Sequence, residues 1–173
     1  PADEELSPEV RQTLEEYRRL LGLESLPRTW KVFGLSPKIT EGRFTAFQNL
    51  NYQARFPWEA RNLAVMLIAH AKRCQGCFTG ARSQLNRLGF DEAMLDTICA
   101  DPGALPLKER DRLFVCYALK IATESADLRP KDFREMAEHG FSKEEVQDII
   151  GFAAYWAMNM VFTQSVNAAL MEE

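Results

Sequence analysis

Twice in this chain, about fifty residues apart, a proline opens a long apolar helix, and that internal repeat limits the fold more than any other feature. Pro57-Trp58-Glu59-Ala60-Arg61 parallels Pro106-Leu107-Lys108-Glu109-Arg110. Further on, Leu88-Gly89-Phe90-Asp91-Glu92 parallels His139-Gly140-Phe141-Ser142-Lys143, after a slip of two residues between the matches. Each second match joins one helix to another with a polar, capped start. One copy of such a unit cannot bury its apolar face alone, so two three-helix copies are expected to share a core.

The remaining segments also read as helices. Ser7 caps a helix with Pro8 in its first turn, which shows Val10, Leu14, Tyr17 and Leu21 on one face and stops at Gly22. A short helix or turn covers Leu26–Phe33, and another stretch runs from Ser36-Pro37 through Phe44, Phe47 and Leu50. The helix opened by Phe56-Pro57 continues to about Lys72. Its apolar run Leu63–Ala69 is nearly continuous, so burial on most sides is expected rather than an amphipathic stripe. A new helix starts at Cys74 and runs to Leu88, and the next spans Asp91 to about Asp101. The second copy reads as helices from Pro106 to about Thr123, from Pro130 to His139, and from the capping box at Ser142 past Gly151, with a bend there, toward Leu170. No segment alternates as a strand would. The expected class is all-α.

With 173 residues the chain suits one domain with a proper core. Its net charge is −4 and its basic residues are scattered among acidic ones, which gives neither a nucleic-acid footprint nor a polybasic membrane patch. Its apolar runs are all short of a membrane span, and no signal peptide is visible at its start, so a cytoplasmic location is expected. Four cysteines in such a domain do not form a disulfide framework. Cys99 and Cys116 lie in apolar helical patterns and read as inert core thiols.

Cys74-Gln75-Gly76-Cys77 is different, because the counterpart region of the second copy reads Thr123-Glu124-Ser125-Ala126. A feature carried by one copy alone is not there for packing alone. A Cys-x-x-Cys can be a redox pair, half a zinc site, or two buried thiols. Zinc needs four ligands, and Cys99, Cys116 and the two histidines stand at no suitable spacing. Redox chemistry has a physical basis here. A thiolate is the reactive form, a helix N-terminus favours negative charge, and Lys72 and Arg73 place positive charge just before the pair. Gly76 keeps the turn permissive, and cysteines three apart on a helical turn can close a disulfide. His70 stands one helical turn before Cys74 and could accept a thiol proton. The alternative is a buried histidine bonded to a backbone carbonyl or to Asn62. Glu59 reads as a first-turn dipole partner, and His139 as a cation suited to a helix C-terminus.

A proline-led buried helix, Cys-x-x-Cys, the Leu-Gly-Phe-Asp-Glu junction and a second helical copy together resemble the AhpD-like alkylhydroperoxidase and carboxymuconolactone decarboxylase superfamily. The upstream Gly-Leu-Glu-Ser-Leu-Pro-Arg-Thr-Trp is similar to the lead-in of its longer, peroxidase-related members. The resemblance runs from about Leu20 to Leu170. It implies a single AhpD-like domain over 1–173, with lead-in helices over about 1–55, a cysteine-bearing repeat over about 56–103 and a second repeat over about 104–173. It also implies a homo-oligomer (dimer, trimer or hexamer) and a thiol-dependent antioxidant enzyme that uses no cofactor or metal and is served by a reducing protein partner. In such members the second cysteine attacks hydroperoxide and the first resolves, which implies those roles for Cys77 and Cys74. Their Glu and His relay positions are Asn62 and Ala81 here. The decarboxylase branch implies a second reading, a non-redox enzyme binding a small organic acid with Arg61, Arg82 and His70. A third is a non-catalytic oligomeric relative.

Overall fold

The structure, a computed structural model, describes residues 5–170 apart from Pro27 and Gln53. Readings that touch the first four residues, Pro27 or the last three residues lie outside it. Among the described residues there is no strand. The chain divides into two compact units, Pro1–Gln53 with Ser165–Glu173, and Ala54–Gln164.

The first unit contains α1 (Pro8–Leu20), α2 (Arg28–Phe33) and α3 (Pro37–Phe47), the last running into a π-helical turn at Gln48–Tyr52. The Ser7 hydroxyl caps α1 by accepting from the Val10 N–H at 3.3 Å, as its position beside Pro8 predicts. Leu6, Val10 and Leu14 pack on Leu26 and Trp30, and the Tyr17 ring lies 3.9 Å from that of Trp30 and 4.4 Å from that of Phe47.

The second unit holds α4 (Trp58–Ala71), α5 (Gln75–Arg87), α6 (Glu92–Ala100), α7 (Glu109–Thr123), α8 (Pro130–Glu138) and, as far as Gln164, α9 (Lys143–Leu170), which crosses Gly151 without interruption. Every residue of α4 from Ala60 to Ala69 is buried, so this helix is enclosed as its unbroken apolar run requires. It packs on α5 and α7. The Phe56 and Phe114 rings stack at 4.0 Å, with Phe152 edge-on to Phe114 at 5.3 Å, and burying each such side chain contributes about 2 kcal/mol.

The repeat is present, in a better register than the prolines give. The helix expected from Pro106 begins only at Glu109, after a 3₁₀ turn at Pro102–Ala104 and an extended Lys108. Lys108 (φ −58°, ψ 149°) has the backbone of Pro57 (φ −54°, ψ 146°), so these two caps correspond. A proline fits ahead of a helix as well as in its first turn, which is why aligning prolines misplaced the match. With caps aligned, one constant interval separates Trp58 from Glu109, Gly89 from Gly140, and Glu92 from Lys143, and the two-residue slip vanishes. Ser125 and Leu128 then stand where the first copy has Cys74 and Cys77.

Four helices end in the same way. In α1, α4, α5 and α8 the two residues after the cap donate back to the last turn, as in Gly89 N–H to Asn86 O (3.1 Å) and Phe90 N–H to Leu85 O (3.1 Å). This Schellman closure needs a left-handed residue, and Gly22, Gly89 and Gly140 provide it with φ of 60°, 93° and 81°. At the end of α4 that residue is Arg73.

Candidate functional site

Residues Lys72 to Cys74 turn the chain from α4 into α5. Lys72 caps α4, Arg73 N–H donates to His70 O at 3.1 Å, and Cys74 N–H donates to Ala69 O at 2.9 Å. Arg73 has φ 56°, the one positive value outside glycine among the described residues. A side chain in this region costs about 1–2 kcal/mol. The Lys72 carbonyl leaves the helix and accepts from Gln164 Nε2 of α9 at 2.8 Å.

This turn makes Cys74 the N-cap of α5 and puts Cys77 in its first turn, as the sequence predicts. The Cys74 side chain makes no cap hydrogen bond, so the free N–H groups of that turn face the pair with their partial positive charge. Cys74 and Cys77 are joined in a disulfide with their Cα atoms 5.4 Å apart. Their exposures differ: Cys74 is buried at 1%, while Cys77 is partly exposed.

A cleft of about 480 Å³ opens on this turn. His70 and Arg73 from the end of α4, Cys74, Phe78 and Arg82 from α5, and Asp96 and Cys99 from α6 line it. His70 is exposed, its ring 5.6 Å from that of Phe78, and that ring makes no hydrogen bond among the described residues. The buried, backbone-bonded histidine considered from sequence is therefore not what the fold contains. Asn62 instead donates to the Trp58 carbonyl one turn back, at 2.8 Å, and is buried, as is Ala81. Neither side chain is an acid–base group.

Arg82 sits over the Phe78 ring at 5.3 Å and is fully engaged. Its Nη1 donates to Asp96 at 2.8 Å, and its Nε (2.9 Å) and Nη2 both reach Glu92. The Glu92 carboxyl is held below its usual range by the Asn86 amide first and by Arg82 second. Arg61 is buried, donates to Phe56 O at 2.8 Å and lies over Trp58, away from the cleft-lining residues. So of the three residues considered for an organic acid, Arg61, Arg82 and His70, the structure brings only Arg82 and His70 to the cleft, and Arg82 is already neutralised. Glu59 is exposed in the first turn of α4, and the His139 ring bonds to Glu135 O at 2.8 Å at the end of α8, both as expected of structural residues.

The other two thiols correct the sequence reading. Cys116 is exposed and Cys99 half-buried at the cleft wall, because each faces outward from a helix whose other side carries the core. Burial pushes the Cys99 thiol above its ordinary value, with Arg82 opposing. Phe78 and Asp96 are cleft residues that the sequence reading did not single out, and it gave Arg73 only a charge beside the pair and Cys99 only a place in the core. For Arg73 a signal existed, since glycine is the residue expected where α4 closes. Among the described residues no three His, Cys, Asp or Glu gather as metal ligands, and no helix is long and apolar enough to cross a membrane.

Helix order, the doubled three-helix unit and the lead-in define an AhpD-like helical fold. The chain is similar to an alkylhydroperoxidase AhpD core structure, an uncharacterized peroxidase-related protein from Ralstonia eutropha JMP134, at 20% identity and TM-score 0.80, covering 95% of this chain and 86% of that one. An uncharacterized peroxidase-related protein from Silicibacter sp. TM1040 gives 17% identity and TM-score 0.78 over 94% and 84% of the two chains. The debrominase Bmp8, as a cysteine-to-alanine variant in complex with 2,3,4-tribromopyrrole, gives 17% and 0.75 over 92% and 84%. No protein-family model and no curated protein matches the sequence.

Proposed function

We propose that this protein is a thiol-dependent oxidoreductase, reducing hydroperoxides or exchanging disulfides through Cys74 and Cys77. The observation that carries the reading is the disulfide of unequally exposed cysteines at the start of α5, beside a cleft, in a fold similar to peroxidase-related proteins. In the reduced state the accessible Cys77 thiolate attacks the outer oxygen of a hydroperoxide. The O–O bond breaks, an alcohol leaves with a proton, and Cys77 becomes a sulfenic acid. Cys74 then displaces water to form the disulfide, and a reducing dithiol, supplied by a protein partner, restores both thiols. His70 moves the proton. Its exposed, unbonded ring supports this role, and no other imidazole lies at the cleft.

The test is direct. Reduced protein is treated with hydroperoxide and then with an alkylating reagent, and the peptide from Cys74 to Arg82 is weighed. The reading requires loss of both alkylation sites and a mass two hydrogens lighter; if both cysteines still alkylate, it fails.

The reading also includes a homo-oligomer in a cytoplasmic, reducing compartment. Met158 and Val161, exposed on α9, support a subunit contact, and light scattering on the eluting protein measures it. A site for small organic acids built on Arg61 and Arg82 is disfavoured, because both guanidinium groups are occupied.

A further inference from the structure

The thiol reading above leaves open what makes a thiolate when Asn62 and Ala81 stand at the relay positions. We infer that Arg73, held in a left-handed conformation at the end of α4, is the electrostatic element that favours ionisation of the reduced Cys74/Cys77 pair. This inference rests on that thiol reading and assigns it a positioning residue of its own.

Three observations converge. First, α1, α5 and α8 close with the same pair of hydrogen bonds as α4, and each uses glycine at the left-handed position, whereas α4 uses an arginine at φ 56°. Backbone strain of this kind persists where the side chain is needed. Second, Arg73 directly precedes Cys74 and lines the same cleft as that residue. Third, the neighbouring charges do not cancel it. Arg82 carries Glu92 and Asp96 on its own nitrogens, while Arg73 has no ion-pair partner among the described residues. Of the other groups around the pair, Lys72 and His70 on α4 add no negative charge. The Cys99 thiol on α6 is pushed up by burial, and α9 approaches Lys72 through the neutral Gln164. Positive charge near a thiol stabilises its ionised form, and the α5 N-terminus acts in the same direction. Because the two sulfurs titrate as a pair, the quantity that responds is the first ionisation of the pair.

The test separates strain from charge with three substitutions and uses no oxidant, so it can succeed or fail independently of peroxide turnover. The alkylation rate of reduced protein by iodoacetamide is followed against pH on the peptide carrying Cys74 and Cys77, together with the melting temperature. R73G relieves the backbone and removes the charge. It is expected to raise the melting temperature by about 3 °C and the alkylation midpoint by about half a pH unit, about threefold less thiolate at neutral pH. R73A keeps the strain, so it shows the midpoint shift without the gain in stability. R73K keeps strain and charge and stays near wild type in both. Unchanged midpoints in R73A and R73G, or a shift in R73K as large as in R73A, overturn the inference. A melting temperature that R73G fails to raise removes strain from it.

Discussion

His70 and Asn62 lie on one helix, yet their surroundings separate them. Asn62 is enclosed among α4 neighbours and spends its amide on Trp58, whereas His70, two turns later, has left the core and stands free over Phe78. A residue that carries protons has to reach solvent, and of the two only His70 is exposed. The expected outcome for His70→Ala is about a hundredfold slower peroxide-driven disulfide formation near neutral pH, read by stopped-flow tryptophan fluorescence, with an unchanged melting temperature because the ring is exposed. The nearness of His70 to Cys74 was legible from their spacing. The freedom of His70 was not, since exposure at the end of a buried helix depends on what packs beside it.

Among elements, the helix ends carry more information than the helix bodies. Gly89 and Gly140 hold equivalent positions in the two copies, and each closes its helix at positive φ. Gly89→Ala and Gly140→Ala should each cost about 1 kcal/mol in denaturant melts, and to a similar extent, because neither added methyl meets a neighbour and only backbone strain is at issue. Within the helix bodies Phe114 dominates, being fully buried between Phe56 and Phe152. Phe114→Ala should cost about 4 kcal/mol through lost packing and a cavity, measured the same way. Helix bodies, glycine stops and the Ser142 capping box were readable beforehand, because hydrophobic period and cap chemistry are local; the Glu145 N–H does donate to the Ser142 hydroxyl and the Ser142 N–H to the Glu145 carboxylate. The α7 start was misread because proline tolerates two positions relative to a helix, and only backbone angles distinguish them.

For the molecule as a whole, acidic side chains tie elements together. Asp132, buried on α8, accepts from Lys120 on α7 at 2.6 Å and from the Arg129 N–H at 2.8 Å, and these hold its carboxyl below the ordinary range, the lysine most strongly. Arg110 does the same for Glu145. A carboxyl with a depressed folded-state value contributes stability that is complete above its unfolded value and disappears as pH falls through the folded one. Melting temperature should therefore hold through the neutral range and drop as the solution is acidified below the ordinary carboxylate range. In Asp132→Asn it should start lower and drop less. A melting series across pH for the two proteins reads the difference.

The sequence by itself determined the helical class, the doubled three-helix unit and the choice of Cys74 and Cys77, because periodicity, caps and a motif present in one copy are written in neighbouring residues. What only the tertiary structure decided is which groups share space: that His70 and Arg73 meet Cys74 at one cleft, that Arg82 is already held by Glu92 and Asp96, and that Arg61 is turned away. Those facts arise from packing between helices and from one left-handed turn, and the conformation of Arg73 follows from the closure of α4 onto α5, which no local preference of an arginine would select.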